Sequence, residues 1–334
     1  QLVDLRGLNR HQSYAYQGYA MPDSIQRLDA QLLKKELGCN AVRTSHCPPS
    51  PAFLDACDEL GILVFTIYPV IKLIQLSFMN VNMLDDSKTK FVGLENYQKV
   101  FARPDFIKSL NNTFLYTAAV VILITLLALI LAVWLNSKRS AMNSVVQAVV
   151  FSPHVVAIVS IALIWQWMME PNFGLFNYVL KSLGLPTSQW LTSSDTAMAC
   201  VIAISVWKAV GYDMLIFLAA LQGVPKELYE SAKLDNAGKW TVFWKITIPM
   251  VSPQLFFTLI IRTISSFKVF DTVRVLTEGG PNNATTTLVY TIYREALFNM
   301  RIGYSAVIGV VLLVIVGILT AVYFVGLSKK VHYQ

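Results

Sequence analysis

Charge is scarce in this chain. Asp, Glu, Lys and Arg make up 14% of its 334 residues, against roughly 25% in an ordinary soluble domain. The length would allow two or three soluble domains, and the composition excludes that reading. Cysteine is sparse as well. Cys39, Cys47, Cys57 and Cys200 show no CxxC spacing, which argues against a disulfide framework or a zinc site and for reduced, packed thiols. No G-x-x-x-x-G-K-[ST] loop is present: Gly238-Lys239 lacks the upstream glycine and is followed by Trp240, so no nucleotide phosphate is cradled here. The net charge of +7 is not arranged as a basic stripe interleaved with aromatics, and nucleic acid is not an expected partner. The chain opens on Gln1 without a signal-peptide pattern, which reads as a fragment or a processed form.

Apolar residues are what the chain has in plenty. They reach 55%, with a mean hydropathy of +0.52. They are spread unevenly. Residues 1–59 are rich in charge, whereas from Leu60 onward long apolar runs alternate with short polar ones. A run of about 20 apolar residues suffices to cross a bilayer core as a helix. Five runs qualify: Phe114–Leu135, Val145–Met168, Thr196–Leu221, Pro253–Leu276 and Ile302–Leu327. The second contains Pro153, which a membrane helix tolerates when neighbours satisfy the freed carbonyl. A sixth candidate, Leu60–Phe78, is apolar apart from Lys72 and Gln75. Lys138 and Arg139, then Lys226, Lys233, Lys239 and Lys245, then Lys329 and Lys330 fall on one side if the spans alternate. The positive-inside rule makes that side cytoplasmic and predicts that both termini face the cytoplasm.

The segment VPKELYESAKLDNAGKWTVFWKITIP, Val224 to Pro249, is the most informative. Pro225 stands where a helix begins, at no cost to hydrogen bonding, and Glu227 and Glu230 follow in early turns that favour anions. Asn236 is placed to end that helix, because Asn is second only to Gly in the left-handed conformation. A second helix is expected from about Gly238 to Lys245, with Pro249 closing a helix–turn–helix outside the membrane. This pattern resembles the EAA motif of binding-protein-dependent ABC importer permeases, with Glu230-Ser231-Ala232, Asp235-Asn236-Ala237 and Ile246-Thr247-Ile248-Pro249 in its three parts. Ser231, Asn236 and Ile248 depart from the usual alanine, glycine and leucine. The resemblance implies that the loop docks on a cytoplasmic ATPase, with Glu230, Ser231, Ala232, Asp235, Asn236, Ala237, Ile246 and Pro249 as coupling residues. Residues 151–180, TEGGPNNATTTLVYTIYREAL (Thr277–Leu297) and IGYSAV (Ile302–Val307) resemble the carbohydrate-type branch of the same family. The likeness covers about residues 66–330.

Lys208, Asp213, Arg262, Lys268 and Asp271 lie inside expected spans. A charge at mid-bilayer costs about 2.5–3.5 kcal/mol even on the lenient insertion scale, so these side chains should face the protein interior, a partner or a polar path. Lys268 and Asp271 are three apart, and an ion pair between them is the simple expectation. Lys208, Asp213 and Arg262 are candidates for the translocation path or a subunit interface, against internal pairing.

The front end reads differently. A strand near Val3–Leu8, a helix near Ser24–Leu37, a strand at Ala41–Thr44, a helix at Pro51–Leu60 and a strand at Ile62–Phe65 make two units of a parallel α/β fold, with Gly38 and Gly61 at helix ends. LRGLNRH (Leu5–His11) and CNAVRTSHCPPSPAFLDACDELGILV (Cys39–Val64) resemble the start of the catalytic barrel of family 2 glycoside hydrolases, the β-galactosidase type. The resemblance implies that His11, Arg43 and His46 occupy vestigial pocket positions at strand ends; Gln12 and Cys47 depart from the pattern. Retaining hydrolysis needs two carboxylates about 5–5.5 Å apart, and in that family both lie downstream, where this chain has entered the membrane. Hydrolase activity is therefore not expected, and a metal site from His11, His46 and Cys47 is only weakly signalled.

The expected fold is an all-α polytopic membrane protein of about six spans, residues 65–334, preceded by a partial α/β-barrel fragment, residues 1–64. The resemblance implies a permease subunit for a sugar or related solute such as glycerol phosphate, multi-pass in the plasma membrane. Its implied partners are a second permease subunit, two ATPase subunits that hydrolyse the ATP, an extracytoplasmic binding protein and the bilayer. No cofactor or metal is expected on the chain itself. The alternatives are a membrane-tethered glycoside hydrolase fragment and a non-functional chimera joined near Ile62–Tyr68.

Overall fold

The computed structural model describes residues 7–10, 23–37, 39, 41–44, 51–60, 63–64, 68–82, 87, 89–136 and 141–327. The chain divides into two compact units, Gln1–Leu76 and Ser77–Gln334. The first holds β1 (Gly7–Arg10), α1 (Asp23–Lys35), β2 (Ala41–Thr44), α2 (Pro51–Leu60), β3 (Leu63–Val64) and α3 (Tyr68–Ser77), whose last residue passes into the second unit. The strands pair in parallel in the order β1-β2-β3, as expected of consecutive βαβ units. Ala30 and Leu33 of α1 meet Val42 of β2 and Phe53, Ala56 and Cys57 of α2 in one small core. Arg27 and Glu59 join the two helices at 3.0 Å.

The expected sixth span, Leu60–Phe78, is corrected by the structure. Among its described residues are the end of α2, the two-residue strand β3 and the ten-residue helix α3. At 1.5 Å per residue α3 is about 15 Å long, half of a bilayer core. Lys72 and Gln75 also bond each other on its surface, at 3.2 Å.

In the second unit a short antiparallel hairpin, β4 (Met79–Asn80) with β5 (Lys90–Phe91), leads to α4 (Glu95–Phe101) and the long α5 (Pro104–Asn136). Thr113, Thr117, Val120, Ile124, Ala128 and Ala132 are all buried, a stripe at helical spacing along which α5 packs on α9 (Ala197–Gln222). Leu115, Ile122, Leu126, Ile130 and Trp134, on other faces, are more than half exposed. Small residues inward and large apolar residues outward is the pattern of a lipid-facing helix.

The run Val145–Met168 is not one straight helix. It forms α6 (Ala141–Val155) and α7 (Ile158–Met168), bent by 99° at the break. The break follows Pro153 by two residues, where the ring has already removed a helical hydrogen bond. After α8 (Leu175–Ser182) comes α9, which crosses α6 at Gly211. A Cβ built there would lie 2.2 Å from the Val150 carbonyl oxygen, so only glycine permits this approach.

Beyond α9 lie α10 (Lys226–Leu234), the single turn α11 (Lys239–Val242), a π-helical turn at Phe243–Thr247 and α12 (Ile248–Phe267). Lys239–Phe267 is continuous. This corrects two expectations. Pro249 does not close the loop, because the wider π turn before it absorbs its missing N–H. The span also ends at Phe267, not Leu276; α13 (Asp271–Leu276) is separate. Among the described residues, four helices are long and apolar enough to cross a membrane, five if the bent pair counts as one span. The last of them is α15 (Ile302–Leu327).

The connection before α15, which includes α14 (Leu288–Tyr293), is tied down by its threonines. Thr285, Thr286 and Thr287 are fully buried; Thr286 donates to the Gly279 carbonyl and Thr287 to that of Val269. Asn112 of α5 donates to the Asn283 and Thr286 carbonyls at 3.0 Å. The buried Glu295 carboxylate sits 3.0 Å from Arg103 and 3.9 Å from Arg301.

Candidate functional site

A cavity of about 470 Å³ opens among α5, the α6–α7 break, α9 and the end of α12. Its wall is mixed. Val120, Ile124, Ile158 and Val269 supply apolar surface; Tyr116, His154, Ser205, Lys208, Arg262, Ser265, Ser266, Lys268, Asp271 and Thr272 supply polar groups. Tyr116 donates to Ser205 at 2.8 Å when that hydroxyl in turn donates to the Val201 carbonyl. His154 stacks on Tyr212, with ring centroids 4.7 Å apart.

The three charges expected to matter most are engaged inside the chain. Asp213 of α9 is fully buried and accepts two hydrogen bonds from Arg262 of α12, one of them from Nε at 3.0 Å. This bidentate geometry is the strongest arrangement available to the pair, and it ties α9 to α12. Lys208 points at the helix break, where its Nζ donates to the carbonyls of Pro153 and His154 at 3.2 Å and of Val156 at 2.8 Å. Lys208 and Arg262 line the cavity while Asp213 lies behind it.

The expected Lys268–Asp271 ion pair is not formed. Among the described residues no ion pair within 4.0 Å links them, although both line the cavity. The helix stops at Phe267, so a three-residue spacing no longer places the two on one face. Tyr116, His154 and Ser205 were not singled out from the sequence. A lone histidine after Pro153 within an apolar run carried the signal, since ionisable residues there are seldom idle.

The Val224–Pro249 loop is a turn of defined geometry. Asn236 has φ of +51°, the Asn236 N–H donates to the Lys233 carbonyl at 3.1 Å, and the Ala237 N–H donates to that of Ala232 at 2.9 Å. These are the two bonds of a Schellman cap, and Asn tolerates the left-handed backbone that it needs. Ala232 is buried, Ala237, Ile246 and Pro249 are half-buried, and Glu230, Ser231, Asp235 and Asn236 are exposed. Leu234, Trp240 and Trp244 are exposed as well, at 86%, 75% and 61%. Tyr229 and Thr247 hydroxyls, 3.4 Å apart, link α10 to the π turn.

Of the front-end residues, Arg43 lies in β2. His11, His46 and Cys47 lie outside the described residues, as do Gly38, Gly61, Lys138, Arg139, Lys329 and Lys330. Cys39, Cys57 and Cys200 are buried and form no disulfide among the described residues.

Comparison with known proteins accounts for both parts of the chain. Residues 1–105 match the family model for the TIM barrel domain of glycosyl hydrolases family 2. Within that match, Met79–Asn80 and Lys90–Phe91 pair antiparallel, and β4 and α4 pack on α15, which is not a parallel barrel unit. The chain is 34% identical over 275 residues to the sn-glycerol-3-phosphate transport system permease protein UgpA of Pectobacterium atrosepticum, covering 81% of this chain and 92% of that one. It is 34% identical over 266 residues to the probable ABC transporter permease protein YurN of Bacillus subtilis, covering 79% and 91%. Among solved structures, a bacterial alginate ABC transporter, crystallised with an alginate pentasaccharide-bound periplasmic protein, contains a similar chain. The TM-score is 0.69 at 27% identity, over 80% of this chain and 91% of that one. Residues 124–332 match the family model that lies over the cavity helices and the loop alike, and the chain belongs to the family described as binding-protein-dependent transport system inner membrane component.

Proposed function

We propose that this permease carries a carbohydrate-class solute, a sugar or a related polyol phosphate, through the cavity between α5, α9 and α12. The solute class is taken from the relatives, and one observation carries the coupling: the exposed loop and the cavity wall are parts of one rod. Lys239–Phe267 runs unbroken from the loop to Arg262, and Arg262 holds Asp213 of α9, the helix on the loop's other side. Displacement of the loop therefore reaches both helices. Glu230, Ser231, Ala232, Asp235, Asn236, Ala237, Ile246 and Pro249 form the ATPase-coupling surface in this proposal. The exposed Leu234 and Trp240 add the kind of apolar anchor that a partner pocket takes.

The wider assembly follows from the same reading. A second permease subunit completes the pathway, two cytoplasmic ATPase subunits hydrolyse ATP, and an extracytoplasmic binding protein delivers the solute. Both termini face the cytoplasm, and this chain holds no cofactor or metal. The permease portion starts at about residue 65. Residues 1–64 are a barrel remnant, with His11, Arg43 and His46 as vestiges of its pocket. Three parallel strands among the described residues leave open edges where a barrel needs eight. Proteoliposomes holding the chain with its partner permease and ATPase should accumulate labelled glycerol 3-phosphate or a labelled oligosaccharide when binding protein and ATP are supplied. Accumulation of neither, with amino acids or metal ions taken up instead, would overturn the solute class. The purified chain should leave nitrophenyl galactoside intact; measurable cleavage would restore the hydrolase reading.

A further inference from the structure

Lys208 stands where an apolar helix pair, long enough together to count as one span, is broken. α6 ends at Val155 and α7 begins at Ile158 with a 99° bend, so the last carbonyls of α6 lose their helical partners. Hydrocarbon offers no water to replace them. An ammonium group has three N–H donors and no acceptor. Those of Lys208 go to the carbonyls of Pro153, His154 and Val156, and a cation at a helix C-terminus also opposes the macrodipole. No donor is left for a solute. His154 and Ile158, on either side of the break, line the cavity together with Lys208.

We propose that Lys208 is a positioning residue that clamps the α6–α7 break to α9. A displacement of α9 at the loop then carries the break, and with it the His154–Ile158 wall of the cavity. Two further contacts make α9 able to do this. Gly211 seats α9 on the α6 backbone at Val150, and Asp213 locks α9 to α12. The movement rests on the coupling role proposed for the Val224–Pro249 loop; the clamp itself does not.

The test measures the bend directly. Nitroxide labels at Val149→Cys and Ile164→Cys, both exposed, flank the break in a chain whose native cysteines are replaced by alanine. The labelled chain is assembled with its partner permease and ATPase in nanodiscs. The parent should give one narrow distance without nucleotide and a second, shifted one after trapping with ATP and vanadate. Lys208→Met should broaden the distribution in both states, and Lys208→Arg should keep it narrow. A narrow, state-dependent distribution in Lys208→Met overturns the clamp. Should Lys208→Met fail to accumulate in the membrane, labels at Val155→Cys and Ala203→Cys report across the clamp with Lys208 intact. That distance should stay fixed while the bend distance shifts, and a change in it overturns the proposal. Failure of the coupling reading looks different: the parent's bend ignores nucleotide, yet Lys208→Met still broadens the resting distribution.

Discussion

The cavity and the loop differ in what their polar groups touch. Around the cavity, Asp213 and Arg262 neutralise each other, Lys208 satisfies three backbone carbonyls and Tyr116 bonds Ser205. On the loop, Glu230, Asp235 and Asn236 are exposed beside Leu234 and Trp240. The first arrangement is what low dielectric requires, because an unpaired group there bears its full desolvation cost. The second leaves charged and apolar groups open to a partner. The charges of α9 and Arg262 of α12 are answered within the chain, whereas Lys268 and Asp271 on the cavity wall and the charges of the loop stand exposed.

The largest effect expected from this contrast lies at the buried pair. The side chain of Asp213 is 1% exposed and that of Arg262 16%. Asp213→Ala leaves a cation without its counter-ion, and removal of one partner of a buried pair costs about 3–5 kcal/mol. The melting temperature in detergent should fall sharply, and Asp213→Leu combined with Arg262→Met should recover most of it. A single variant as stable as the parent would mean that the pair does not hold α9 to α12.

A smaller effect tests whether exposure always means availability. Glu170, after α7, is only partly exposed, yet its Oε2 accepts the N–H groups of Asn172 and Phe173 at 2.6 Å. The Phe173 N–H above all holds its carboxyl below the ordinary glutamate range; desolvation opposes it, and the backbone and side-chain N–H groups of Asn172 add to the lowering. A depressed folded pKa gives order that is fully present above the ordinary value and is lost as pH falls through the folded one. Amide exchange at Asn172 and Phe173 should therefore stay slow through the usual glutamate range and quicken only in stronger acid. Quickening at the ordinary value would show that the turn is held by something else.

Much of this architecture was legible in residue order. The apolar runs located the crossing helices to within a turn at most ends, and the front-end strand and helix of Ala41–Thr44 and Pro51–Leu60 appear with those bounds. Asn236 could be read because its backbone preference is local. What escaped was set by tertiary contact. A hydropathy window registers that Val145–Met168 is apolar but not its direction, so the 99° turn was invisible. The Lys208 clasp spans more than fifty residues of sequence. The Lys268–Asp271 pairing presumed a helix that stops at Phe267. Leu60–Phe78 misled in the other direction, since apolar content alone cannot distinguish a strand followed by a short helix from one long helix.

The central claim is that the loop passes the ATPase stroke to α9 and α12. Its most direct test is ATP hydrolysis by the reconstituted assembly carrying Glu230→Ala or Asn236→Pro, with membrane insertion verified as unchanged. The account predicts that hydrolysis no longer responds to the solute-loaded binding protein and that import stops with it. Solute-stimulated hydrolysis at the parental rate in both variants would contradict it.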